Sequence, residues 1–143
     1  MSSVKPPLDF CLRLARAHAA LVRRFDGRLG TLHGLSFGDF LILLHLSQAP
    51  AGRLRRVDLA EHVGVTASAV TRSLIPLEKI GLVERQPDPR DARVGYATLT
   101  RAGHRLFKEA LHSAEIISED VVPAASAPQL QSLSALLAQI GGR

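Results

Sequence analysis

Apolar positions recur every three or four residues near the start of the chain. Leu8, Leu12, Ala15, Ala19, Val22 and Phe25 keep this spacing, while Arg13, Arg16, Arg23 and Arg24 fall mostly elsewhere. The pattern predicts a long amphipathic helix over Leu8–Leu29 that Gly30 ends, with Gly34 in the loop beyond. Ser36-Phe37-Gly38-Asp39 supplies an N-cap with an acid at the third helical position. It opens a short helix through about Gln48, apolar nearly all round and therefore buried. Pro50 to Gly52 reads as a turn. A third helix, about Arg56–Val63, leads through Gly64-Val65 to Thr66, the N-cap of a fourth. In that fourth helix Ala67, Val70, Leu74 and Leu77 mark the packing side. Leu82–Arg85 and Gly95–Leu99 are short enough to be strands. Between them lies Pro87-Asp88-Pro89-Arg90-Asp91, whose prolines forbid helix and favour a projecting turn. Thr100 caps another long helix to about Val121, with Leu106, Ala110, Ala114, Ile117 and Val121 on one stripe. Pro123 stops it, and Pro128 sits in the first turn of a last helix with Leu130, Leu133, Leu137 and Ile140 on one face.

The order is helix, helix, helix–turn–helix, hairpin, helix, helix. The fold class that follows is mainly α: a winged helix–turn–helix over 36–99 with a two-stranded β wing. Residues 1–35 and 100–143 form a helical region around it. Their apolar stripes exceed what the winged unit can cover, so these long N- and C-terminal helices either pack on each other or need a partner.

Composition narrows the picture. With 143 residues, 46% of them hydrophobic, the chain can build a core. The longest apolar run, Phe40–Leu44, is far short of a membrane span, and Met1 to Pro7 carry no apolar signal segment. A single cysteine excludes an internal disulfide and fits a reducing cytoplasm, the expected location. The net charge of +5 suggests a polyanionic partner. Residues 1–52 carry six basic and three acidic side chains, 53–105 ten and six, and 106–143 two and four. The positive charge therefore sits in the first two stretches and not in the tail. Catalysis finds no support: Gly-x-Ser-x-Gly, a phosphate-binding glycine loop and a metal motif are all missing, and the acids are scattered. An enzyme and a cofactor are both unexpected.

The fourth helix offers the clearest chemistry. Ser68, Arg72 and Lys79 project opposite its packing side, with Ala69 and Thr71 flanking near the N-terminal end. Small and hydroxyl-bearing residues let the backbone approach double-stranded DNA, and Arg72 can reach a guanine edge or a phosphate.

The surrounding residues carry a resemblance. The run from Val57 through Arg72 (VDLAEHVGVTASAVTR), its continuation Leu77 to Arg85 (LEKIGLVER), the wing segment Asp88-Pro89-Arg90-Asp91-Ala92-Arg93 and Leu99-Thr100-Arg101-Ala102-Gly103 together resemble the MarR family of bacterial transcription regulators. The resemblance covers the whole chain in element order, and its specific motifs lie between about residues 57 and 103. It implies DNA contacts from Thr66, Ala67, Ser68, Ala69, Thr71 and Arg72. It also implies that Arg93 enters the minor groove, aimed by a bidentate pair with Asp91, while Arg90 meets a phosphate near the tip. It implies that the long N- and C-terminal helices are dimerisation helices of an intertwined homodimer on a pseudo-palindromic operator, more often a repressor, released by a small-molecule signal. Pro76, inside the recognition helix, departs from the family's pattern and predicts a kink after the turns that meet bases.

Three sensing devices are considered. Cys11 lies where the family's peroxide-sensing branch carries its reactive thiol, although the tyrosines of that branch are missing and a buried, inert cysteine is expected. His104 and His112 roughly share a face without chelating, and His45 could approach His112, but no metal site is expected. The default is a small aromatic or amphipathic anion in a crevice lined from the first, second and fifth helices, for which Arg13, Arg16 and His18 are candidates by location. A winged-helix protein–protein adaptor and a Cys11-based redox regulator stand as the alternatives.

Overall fold

The computed structural model describes residues 3–91 and 93–142. Among these, the elements in chain order are α1 (Pro6–His33), α2 (Phe37–Gln48), β1 (Arg53–Arg55), α3 (Arg56–Val63), α4 (Ala67–Lys79), β2 (Val83–Pro87), β3 (Gly95–Leu99), α5 (Arg101–Val121) and α6 (Ala127–Ile140).

The start of α2 follows from a closed capping box. Ser36 Oγ accepts from the Asp39 amide at 2.9 Å, and the Asp39 carboxylate accepts from the Ser36 amide at 3.0 Å. The helix then buries Phe40, Ile42, Leu43 and Leu46, as its all-round apolar surface requires. It is the central post, packed on by α1, α3, α4, α5 and β3. A run of aromatic rings binds three helices at this post. Phe25 of α1 meets Phe37 at 4.5 Å between centroids, Phe37 meets Phe40 at 6.3 Å, and Phe40 meets Phe107 of α5 at 5.8 Å. Each such pair contributes about 0.5–1.5 kcal/mol beyond the area it buries.

The first helix is longer than its sequence suggests. Gly30 stays helical, and the chain leaves the helix at Gly34, whose φ of 69° is left-handed and whose amide donates to the Gly30 carbonyl at 3.0 Å. Leu29 and Leu35 are both fully buried on either side of this cap, so packing selects the second glycine over the first. The C-terminal half of α1 is fastened to α5. Arg28 pairs with the Asp120 carboxylate, Arg24 donates to the Asp120 carbonyl at 3.0 Å, and His33 Nε2 lies 2.7 Å from Ser113 Oγ.

The sheet has three strands rather than two, in the order β1-β3-β2, all antiparallel. Arg53 pairs with Thr98 and Arg55 with Tyr96 on one side of β3. On the other side the hairpin runs from Val83 opposite Leu99 to Pro87 opposite Gly95. At its root, Thr100 donates its amide to the Leu82 carbonyl at 3.0 Å and its hydroxyl to the Gly81 carbonyl. The same hydroxyl oxygen accepts from the Gly103 amide at 3.0 Å, so one residue caps α5 and ties it to the start of the wing.

Two apolar surfaces stay uncovered within the chain. Leu8 and Leu12 of α1 are half exposed, and α6 buries no residue at all, with Leu130, Leu133, Leu137 and Ile140 open to solvent. No single helix among the described residues is long and apolar enough to cross a membrane.

Candidate nucleic-acid interface

Gly64 ends α3 in the left-handed region at φ 82°, which turns the chain sharply into α4. Thr66 then caps α4, its hydroxyl accepting from the Ala69 amide at 3.1 Å. Val70, Leu74 and Leu77 are buried and pin α4 against the core. Ala67, read from the spacing as part of that packing face, is exposed instead: it is the first helical residue and lies ahead of the first buried turn. Thr66, Ser68 and Arg72 are also exposed, with Ala69 and Thr71 half-buried beside them. The helix continues through Pro76 to Lys79, and Ile80 donates to the Pro76 carbonyl at 3.1 Å.

The wing tip is held by two aspartates that fold back on their own backbone. Asp88 accepts from the Arg90 amide at 2.7 Å and Asp91 from the Arg93 amide at 3.0 Å. Asp91 also grips the Arg93 guanidinium with both oxygens, Nε at 3.1 Å and Nη2 at 3.2 Å. The Arg93 side chain remains 90% exposed, so the pair orients the guanidinium without hiding it. The Arg93 guanidinium and then its amide hold the Asp91 carboxyl below the usual carboxylate range. Asp88 is lowered chiefly by the Arg90 amide and further by the Tyr96 hydroxyl, which donates to it at 3.3 Å, against a desolvation effect of opposite sign. Arg90 is exposed at the tip, and Ala92 lies outside the described residues.

Sequence reasoning assigned nothing to the strand ahead of α3. The Arg53 guanidinium lies 4.1 Å from the centre of the Tyr96 ring and that of Arg55 5.7 Å from it. The run Arg53-Leu54-Arg55-Arg56 was the available signal, but three arginines in four residues point nowhere until β1 pairs with β3.

The sensing candidates are not brought together. Arg13 and Arg16 line a shallow concavity built from α1 alone, together with Asp9, Leu12 and Ala17, and not a crevice shared with the second and fifth helices. Arg13 is engaged by Asp9 one turn earlier at 2.8 Å, and His18 is exposed. Cys11 is exposed in the single chain rather than buried. The His45 ring stacks on His62 of α3 at 5.2 Å, not on His112, and no group of three metal-ligating side chains is found among the described residues.

An α3–turn–α4 unit beside a projecting hairpin defines a winged helix–turn–helix protein. The MarR family model matches residues 35–94. Over 135 residues the chain is 33% identical to the HTH-type transcriptional repressor Rv2887 of Mycobacterium tuberculosis, covering 94% of each protein. Its fold matches that of Sco3205, a MarR family transcriptional regulator from Streptomyces coelicolor crystallised with DNA. That match has a TM-score of 0.87, with 23% identity, 98% of this chain and 89% of the other. BpsR of Bordetella bronchiseptica, whose DNA binding is regulated by 6-hydroxynicotinic acid, matches with a TM-score of 0.82 and 22% identity, over 92% and 98%. The chain belongs to the MarR family: it is a transcriptional regulator, not an enzyme.

Proposed function

We propose that this regulator is a cytoplasmic repressor that occupies a pseudo-palindromic operator as a homodimer and leaves it when a small aromatic or amphipathic anion binds. In this reading residues 36–99 form the DNA-binding domain, and 1–35 with 100–143 the dimerisation region. The observation that carries it is the exposed Arg93 guanidinium, aimed by Asp91, lining one crevice with Ala67 and Thr71 of α4. Thr66, Ala67, Ser68, Ala69, Thr71 and Arg72 meet the major groove, Arg93 enters the minor groove, and Arg90 rests on a phosphate. The uncovered leucines of α1 and α6 supply the apolar area that pairs two copies and spaces two recognition helices. The repressor role follows the name of the mycobacterial relative, and an anionic effector follows the ligand of BpsR.

The test is fluorescence anisotropy with duplexes from the protein's own upstream region at two salt concentrations. Selective, salt-sensitive binding is expected. Arg93→Ala should weaken it by more than roughly tenfold, the loss of a bidentate-aimed groove contact, with little change in melting temperature. Equal affinity of this variant at fixed salt would remove Arg93 from the site.

A further inference from the structure

Between the recognition helix and the wing lies a crevice of ≈ 380 Å³ with an unusual lining. Arg55 and Arg56 stand at the start of α3, Ala67 and Thr71 come from α4, and Arg93 closes the wing side. We propose that this crevice seats a phosphate of the DNA backbone, with Arg56 as its principal ligand and Arg55 as its second. The proposal rests on the DNA-binding reading above and extends it to a contact made from outside both the helix and the wing tip.

The partners of these arginines are neutral. Arg56 Nη1 donates to Thr71 Oγ1 at 3.4 Å, while the Thr71 hydroxyl donates to the Ala67 carbonyl at 3.1 Å. The hydroxyl proton is thus committed to the helix, and its oxygen steers Arg56 without cancelling its charge. Arg55 stacks on the Tyr96 ring, which orients it in the same manner. Arg56 ranks first because the Thr71 hydroxyl holds its guanidinium at the crevice; Asp58 and Asp88 lie within electrostatic range of Arg55. None of the eight described lining residues is acidic. The small residue Ala67 leaves room for a strand to approach, and Val57 and Val94 add apolar surface to the lining. A backbone running from the major groove under α4 to the minor groove under the wing crosses the gap between those two elements, where this crevice opens.

The experiment measures duplex affinity of the full chain between 50 and 200 mM salt for wild type, Arg56→Gln, Arg55→Gln and Arg56→Lys. Each lost phosphate contact should lower the salt slope by about 1, so the affinity change across that salt range shrinks about fourfold. Arg56→Gln should do this equally for operator and unrelated duplexes, because a phosphate carries no sequence. Arg56→Lys should restore most of the slope. Lys108→Gln, on the exposed side of α5, should leave it unchanged, and all variants should melt like wild type. An unchanged slope in Arg56→Gln, with Arg93→Ala still weakening binding, would overturn the crevice contact and leave the regulator reading standing. An equal loss in Lys108→Gln would also overturn it, by showing a bulk charge effect. Absence of duplex binding by wild type would sink both. Inorganic phosphate bound in an Arg56-dependent way without DNA, at concentrations that leave duplex affinity unaffected, would reassign the crevice to a soluble anion and overturn the proposal.

Discussion

Replacing Gly103 by alanine tests how tightly the wing is joined to α5. An added Cβ would overlap the Leu82 carbonyl oxygen, lie 3.0 Å from the Leu82 carbonyl carbon and meet the Leu99 side chain at 3.3 Å. Nothing flexible stands in the way: the obstacle is backbone, and both leucines are buried. In an open helix, glycine to alanine gains about 1 kcal/mol. Here the clash forces α5 away from Leu82 at an overpacking cost of about 1–3 kcal/mol. It also breaks the Thr100 amide bond to the same carbonyl, worth about 1 kcal/mol. The sum is a net loss of about 1–3 kcal/mol, or roughly 2–10 °C in melting temperature for a domain near 150 residues. Thermal unfolding followed by circular dichroism at matched protein concentration measures it, since association would otherwise shift the midpoint. A melting temperature equal to wild type or higher would refute the reasoning, because the helix gain would then have prevailed over the contact.

Other expectations follow from single contacts. Thr66→Ala removes the acceptor for the Ala69 amide and should cost about 1 kcal/mol in a denaturation experiment, while Thr66→Ser should cost much less. Leu133→Asp with Leu137→Asp places charge on a face that is open in the single chain, so light scattering should give a monomer with little lost helicity; an unchanged dimer would mean α6 lies outside the interface. The Asp91 carboxyl is held below its ordinary range, so the pair with Arg93 is in place above about pH 4 and is lost as pH falls through the lowered value. Carboxyl carbon NMR should therefore find Asp91 titrating below an ordinary exposed aspartate, and Arg93→Ala should move it back up. A wild-type midpoint in the ordinary range would discount the pair.

The starts of α2, α4 and α5 were legible because each is written locally, whereas α1 and α3 begin without a side-chain cap. Ser36 with Asp39, Thr66 and Thr100 all hold the amides their spacing predicted. Stops were less legible. Gly30 and Gly34 both satisfy the local requirement, and only the burial of Leu29 and Leu35 chooses between them. The strand Arg53–Arg55 has too few residues to show alternation, and it exists through pairing with residues more than forty positions later. Its arginines were silent for the same reason. The wing strand read as Leu82–Arg85 is observed at Val83–Pro87, its extent following the ladder with Gly95–Leu99 on the other side of the turn. Arg93 and Asp91 could be named together only through the resemblance to the MarR family, and the structure places the two side chains in contact within the wing turn. Arg13, Arg16 and His18 were candidates by location alone, and in the single chain Arg13 and Arg16 line a concavity of α1 only.

The links between α1 and α5 give the molecule the mechanics of a lever. Arg24 and Arg28 hold Asp120 near the far end of α5, and His33 meets Ser113 two turns before it. The other end of α5 is riveted to the wing root through Thr100. The two helices therefore behave as a composite rod, stiffer than either alone, with its pivot at the edge of the winged unit. α5 runs 21 residues, about 31 Å. A rotation of about 5° at the pivot carries its far end about 3 Å, a displacement as large as a hydrogen bond is long. A displacement applied where α1 and α5 meet therefore has a continuous helical path to the wing root.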